Sequence, residues 1–126
     1  VLREDGVDVR LDAPAERVDA PAPGRVRLTA GGQAIAGSHL LVAVGRTPNT
    51  DSLDLAAAGV HADKRGFVVV NDRLETSAPG VYALGDCNGG PQFTHVSHHD
   101  NQILRENLLH DAGRTTAGRL LPYCVY

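Results

Sequence analysis

The chain has 126 residues, a formal charge of −3 and 42% hydrophobic residues, enough for a core but without the basic block that nucleic acid or an anionic membrane surface demands. Its two cysteines, Cys87 and Cys124, have neither C-x-x-C nor metal-ligand spacing, and no apolar run reaches the length of a membrane span. With no signal-peptide pattern at Val1, the expectation is a soluble, cytoplasmic protein that contacts neither nucleic acid nor membrane.

In chain order, Val1 to Asp5 reads as the last turn of a helix with Gly6 as its cap. Val7 to Leu11 alternates apolar and polar residues as a strand does. A Pro/Ala-rich stretch from Ala13 to Gly24 follows, and Arg25 to Leu28 alternates again. Gly31-Gly32 fits a tight hairpin turn leading to a short strand around Gln33 to Ala36. Leu40-Leu41-Val42-Ala43-Val44 is continuously apolar, the pattern of a strand buried on both faces.

After Gly45 the character changes. Arg46 to Thr50 is rich in turn formers, and Ser52 to Gly59 reads as a short helix closed by glycine. Phe67 to Val70 and Arg73 to Thr76 are predicted strands flanking Asn71-Asp72. Val81 to Leu84 is a third, predicted as a buried parallel strand. The Asn88-Gly89-Gly90-Pro91 loop then delivers a helix from near Thr94 to about His110, with Val96, Ile103, Leu104 and Leu108 as its core stripe. Thr94 is the candidate N-cap. Gly113 to Arg119 reads as a linker. The apolar run from Leu120 to Tyr126 has no turn signal after it, and with the absence of Met it suggests a segment cut from a longer chain.

Three motifs carry chemistry. Gly45-Arg46-Thr47-Pro48-Asn49 ends an apolar run with a glycine and a guanidinium, a group suited to phosphate. Alone, it is only a strand followed by a turn. Thr76-Ser77-Ala78-Pro79-Gly80-Val81-Tyr82-Ala83-Leu84-Gly85-Asp86 ends in a flexible glycine and one carboxylate at the carboxyl end of a strand, where α/β sheets bind ligands. A charge-assisted bond from Asp86 to a sugar hydroxyl is worth about 1.5–3 kcal/mol. Gly90-Pro91-Gln92-Phe93-Thr94-His95 opens the helix, whose free N–H groups and dipole favour negative charge.

In this order the motifs resemble those of the class I FAD/NAD(P)-dependent pyridine nucleotide-disulfide oxidoreductases, in the dihydrolipoamide dehydrogenase and mercuric reductase branches. The wording from Gln92 to His95, with Asp100 and Ile103 following, is closer to the mercuric reductase branch. The resemblance implies an α/β fold: part of a flavoprotein with two dinucleotide-binding domains. Residues 1–45 would end the NAD(P)-binding domain with a β-meander, 46–117 would form the carboxyl-side part of the FAD-binding domain, and 118–126 would start a dimerisation domain. It further implies cofactors FAD and NAD(P)H, with Gly45 facing the nicotinamide and Arg46 near the dinucleotide phosphates. Gly85 and Asp86 would hold the ribityl chain, and Gln92, Phe93, Thr94 and His95 would line the flavin.

The parent would be a homodimer passing electrons from NAD(P)H through FAD to a disulfide, a metal ion or a similar small acceptor. The family's redox cysteine pair and active-site histidine have no counterpart here, so no catalytic residue is assigned and the segment alone is expected to be inactive. The Gly-Asp fingerprint is shared with thioredoxin-reductase-like and NADH-dehydrogenase-like flavoproteins, and a stand-alone, non-catalytic nucleotide-binding module is a further alternative. His95, His98 and His99 lie on adjacent helical turns but lack the acidic or cysteine partner of a zinc site, so no metal site is expected. Cys87 and Cys124 are expected to be structural, Cys124 within an apolar strand.

Overall fold

A computed structural model of the chain describes residues 1–124. It separates into two compact units, Val1–Val44 and the segment from Gly45 onward. The first unit opens with a single turn, Val1 to Gly6, closed by bonds from Gly6 N–H to Arg3 O and from Val7 N–H to Leu2 O. These are the paired bonds of a Schellman cap, with Gly6 at φ 82° as the left-handed residue. Val7 to Leu11, expected as a strand, makes no ladder. The sheet is β1 (Ala15–Ala22), β2 (Arg25–Ala30) and β3 (Gln33–Gly37), antiparallel in the order β1-β2-β3.

The Pro/Ala-rich stretch is therefore a strand, which its composition concealed. Proline is tolerated because β1 is an edge strand with bulges between Ala15 and Arg17 and between Asp19 and Ala22. The β2–β3 hairpin turns on Gly31-Gly32, both at positive φ, with Ala30 opposite Gln33. Two successive positive φ values define the turn type that matches strand twist. Val18, Leu28 and Ile35 are cross-strand partners. Directly opposite on β1 and β2, Asp19 and Arg27 form a two-point ion pair with bonds of 3.0 and 3.1 Å.

Leu40 to Val44 does not become the buried strand its composition suggests. Leu41 is 89% and Val44 86% exposed. A continuously apolar strand needs neighbours on both sides, and no strand among the described residues pairs with it.

In the second unit Ser52 to Gly59 is a run of tight turns, not a helix. Ala57, Ala58 and Gly59 each donate three residues back, and Val60 N–H reaches Leu55 O to close the run. The three expected strands reduce to single bridges, Ala62 with Val68 and Glu75 with Tyr82. Side chains compete for the backbone there. Asp63 accepts the N–H groups of Arg65 and Phe67, Asn71 those of Arg73 and Glu75, and Thr76 that of Ala78. Val60, Val68 and Ala83 form the local core, with Leu55, Val70, Ala78 and Cys87 packed on it.

A 3₁₀ turn, Gly85–Asn88, follows, and then α1, Thr94–His110. Val96, Asp100 and Ile103 are the buried residues of α1, spaced four and three apart on one face. Leu108, expected on that stripe, is exposed. The helix starts one residue earlier than a Thr94 cap requires. Phe93 is the N-cap, extended at φ −128° and ψ 145°, and no side chain caps the end. Its carbonyl accepts from Val96 and Ser97, so Thr94 is already the first helical residue. Beyond α1, Asn107 clamps Arg114 by bonds of 2.8 and 2.7 Å, and Thr116 N–H donates to Asp72 O. Leu120 to Cys124 forms no strand, and the expected strand's last two positions, Val125 and Tyr126, lie outside the described residues.

Candidate functional site

The 3₁₀ turn sets the site. Gly85 sits at φ 75°, where an added Cβ would lie 2.9 Å from Ser97 Oγ and 3.3 Å from Ser97 Cβ. Glycine is required twice, for the left-handed backbone and for the close approach of α1. Gly85 N–H donates to Asp100 Oδ2 at 2.9 Å. The next residue, Asp86, projects outward with its side chain 50% exposed.

Arg46 meets it there. Arg46 Nη1 donates to Asp86 Oδ2 at 3.0 Å across 40 positions of sequence, with the Arg46 side chain 63% exposed. An ion pair this open to water is worth at most about 1 kcal/mol, so both charges stay available to a ligand. The pair stands between two open clefts. One, of about 370 Å³, is lined by Arg46 to Asn49, Asp86, Cys87 and Gln92. The other, of about 570 Å³, is lined by Arg46, Leu84, Gly85, Asp86, Gln92, Thr94 and Ser97.

Of the residues singled out in the sequence, the structure thus gathers Arg46, Gly85, Asp86, Gln92 and Thr94. Gly45, Phe93 and His95 do not line these clefts. Gly45 is exposed at φ 117°. Phe93 stacks on His95 at 5.3 Å between ring centroids and on Tyr123 at 6.2 Å. His95 and His99 face a separate cleft with Arg114 and Arg119. His98 is exposed beside Gln102. Among the described residues no group of three His, Cys, Asp or Glu side chains could hold a metal ion, and no helix is long and apolar enough to cross a membrane. Cys87 Sγ lies 3.4 Å from Leu84 O, half-buried against the core. Cys124 is exposed and outside any strand, contrary to the expectation of an apolar-strand position.

Asp100 is not among the candidate site residues that the sequence offers. It is 1% exposed. Its Oδ2 takes Gly85 N–H and, at 3.3 Å, Asn88 Nδ2, while its Oδ1 pairs with Arg119 Nη2. The available signal is a carboxylate in register with Val96 and Ile103, since an acidic residue on a buried helix face needs partners.

A carboxylate can accept from hydroxyls, and a guanidinium or an uncapped helix N-terminus can hold phosphate; Asp86, Arg46 and the start of α1 bring those capacities to the same two clefts. The family model described as pyridine nucleotide-disulphide oxidoreductase matches residues 1–100, and the chain belongs to that family. It is 39% identical to the probable pyridine nucleotide-disulfide oxidoreductase RclA of Escherichia coli, over 100% of this chain and 29% of the relative. A mercuric reductase of Lysinibacillus sphaericus is 40% identical, over 86% of this chain and 20% of the relative. The solved structure of the HOCl-induced flavoprotein disulfide reductase RclA from Escherichia coli superposes with a TM-score of 0.82 at 40% identity, covering 94% of this chain and 27% of that one. The chain therefore spans less than a third of the length of these relatives.

Proposed function

We propose that this chain is the FAD-facing portion of a flavoprotein oxidoreductase that passes electrons from NAD(P)H to a disulfide, a metal ion or a similar small acceptor. Residues 1–45 close the NAD(P)-binding domain, 46–117 form the carboxyl-side part of the FAD domain, and 118–126 begin the dimerisation domain of a homodimer. The observation that carries this reading is the Arg46–Asp86 pair, which joins the Gly-Arg-x-Pro-Asn and Gly-Asp motifs in one place. The uncovered Leu40–Val44 run supports it, since the remaining strands of a larger sheet would cover those residues.

The donor set fits FAD. Asp86 is an acceptor-only carboxylate, half exposed, suited to the hydroxyls of the ribityl chain. Arg46 supplies positive charge for phosphate, and Gln92 and Thr94 add neutral polar groups at the same clefts. Phe93 and His95 lie outside those two clefts but stack on each other beside the N-terminus of α1, and they are the pair proposed to meet the flavin edge. Gly45, with no atom within 4 Å of where a Cβ would stand, leaves room for close approach and is the residue proposed to face the nicotinamide. When bound, FAD supplies the two-electron chemistry; these residues bind it, orient it and favour negative charge at the helix end.

The test is direct. The complete protein, purified and incubated with FAD, is expected to be yellow, and under anaerobic NADH or NADPH its flavin is expected either to bleach or to gain the long-wavelength absorbance of a thiolate beside oxidised flavin. A colourless protein, or a bound flavin whose spectrum neither nucleotide changes, would contradict the proposal.

A further inference from the structure

We infer that Asp100 is the positioning residue of the flavin-binding turn, acting on the cofactor through Asp86; this rests on the reading of Asp86 given above. Asp86 lies between Gly85 and Asn88, and both of those residues are fastened to the same oxygen, Asp100 Oδ2, at 2.9 and 3.3 Å. The backbone is therefore held on either side of the residue that presents the exposed carboxylate. Asn88 reinforces the turn by donating to Ala83 O at 3.3 Å and accepting Gly90 N–H at 3.0 Å.

The other oxygen of Asp100 pairs with Arg119, whose side chain is 10% exposed. One buried carboxylate thus ties together the 3₁₀ turn, α1 and the segment that follows α1. Bonds to a carboxylate that is itself buried are stronger and more directional than exposed ones. The exposed Arg46–Asp86 pair cannot supply that rigidity. Asp100 is too buried to touch a ligand in the clefts that Asp86 lines, so its contribution is orientation.

The experiment is a double-mutant cycle on FAD affinity in the complete protein, after flavin removal, followed by fluorescence quenching on titration with FAD. Asp100→Asn keeps the shape but turns an NH₂ group toward either the Gly85/Asn88 donors or Arg119. It is expected to raise the FAD Kd about tenfold or more and to change the visible circular dichroism of the bound flavin. In an Asp86→Ala background the same substitution is expected to change Kd by less than about twofold, because its effect passes through Asp86.

Fold-changes that multiply in the double variant, or a lowered melting temperature with unchanged Kd and flavin spectrum, would overturn the inference. An Asp86→Ala variant with unchanged Kd would overturn the underlying flavin reading and this inference with it. Where Asp100→Asn does not fold, Asn88→Ala is put through the same cycle, with the same coupling expected and the same multiplication decisive against it.

Discussion

The meander of Val1–Val44 is held by antiparallel ladders along three strands, bulged in β1, yet buries only Ala30. The segment from Gly45 onward has two single bridges but buries Val60, Phe67, Val68, Leu74, Ala83, Val96 and Ile103 among the described residues. In the first, backbone pairing sets the geometry and side chains decorate it. In the second, Asp, Asn, Ser and Thr side chains bonded to nearby backbone groups set the turns, and an apolar cluster locks them. A ligand site with defined carboxylate geometry belongs with the second kind of construction, because its turns are fixed residue by residue.

Truncating the core separates the two constructions most sharply. Ile103→Ala is expected to cost about 2–5 kcal/mol, seen as accelerated amide hydrogen exchange through α1, because Ile103 is 1% exposed. Val18→Ala in the meander, where Val18 is 51% exposed, is expected to stay within about 0.5 kcal/mol on the β1–β2 amides. A loss above about 1 kcal/mol there would show that this face is covered in the complete protein and would erase the contrast.

Next in size, Gly85→Ala places a methyl group against Ser97 and a side chain at φ 75°. The backbone term alone is about 1–3 kcal/mol. Exchange at the 3₁₀ turn should rise, and a Ser97→Gly change should restore part of the loss by removing the clash but not the strain. No rescue at all would mean that contact with α1 is not what demands glycine.

The smallest effect is expected at the Asp19–Arg27 pair, whose side chains are 24% and 50% exposed. Removing it by Arg27→Ala should change stability by no more than about 1 kcal/mol, and less at high salt. A larger, salt-independent loss would show that the ladder of the meander depends on its side chains after all.

Where composition and local chemistry agreed, the sequence was readable. The bounds of α1, the Gly31-Gly32 hairpin and the glycine closing the Ser52–Gly59 turns were all legible, since periodicity and positive-φ glycines act over a few residues. β1 was hidden because prolines at an edge strand look like a loop. The strands expected at Phe67–Val70, Arg73–Thr76 and Val81–Leu84 failed because β-prone composition says nothing of where partners lie. Arg46 and Asp86 were each visible as motifs, but their meeting across the chain is a property of the fold. Asp100 was not legible as a determinant, because its partners come from Gly85, Asn88 and Arg119, which nothing local connects to it.

The central claim is that Asp86 holds the flavin, and the FAD dissociation constant of the complete protein carrying Asp86→Ala tests it most directly. Losing a charge-assisted hydrogen bond of about 1.5–3 kcal/mol corresponds to a rise in Kd of roughly ten- to 150-fold, with sub-stoichiometric flavin in the purified protein and an unchanged fold in the NAD(P)-binding domain. An FAD affinity and flavin content equal to those of the unsubstituted protein would contradict the account.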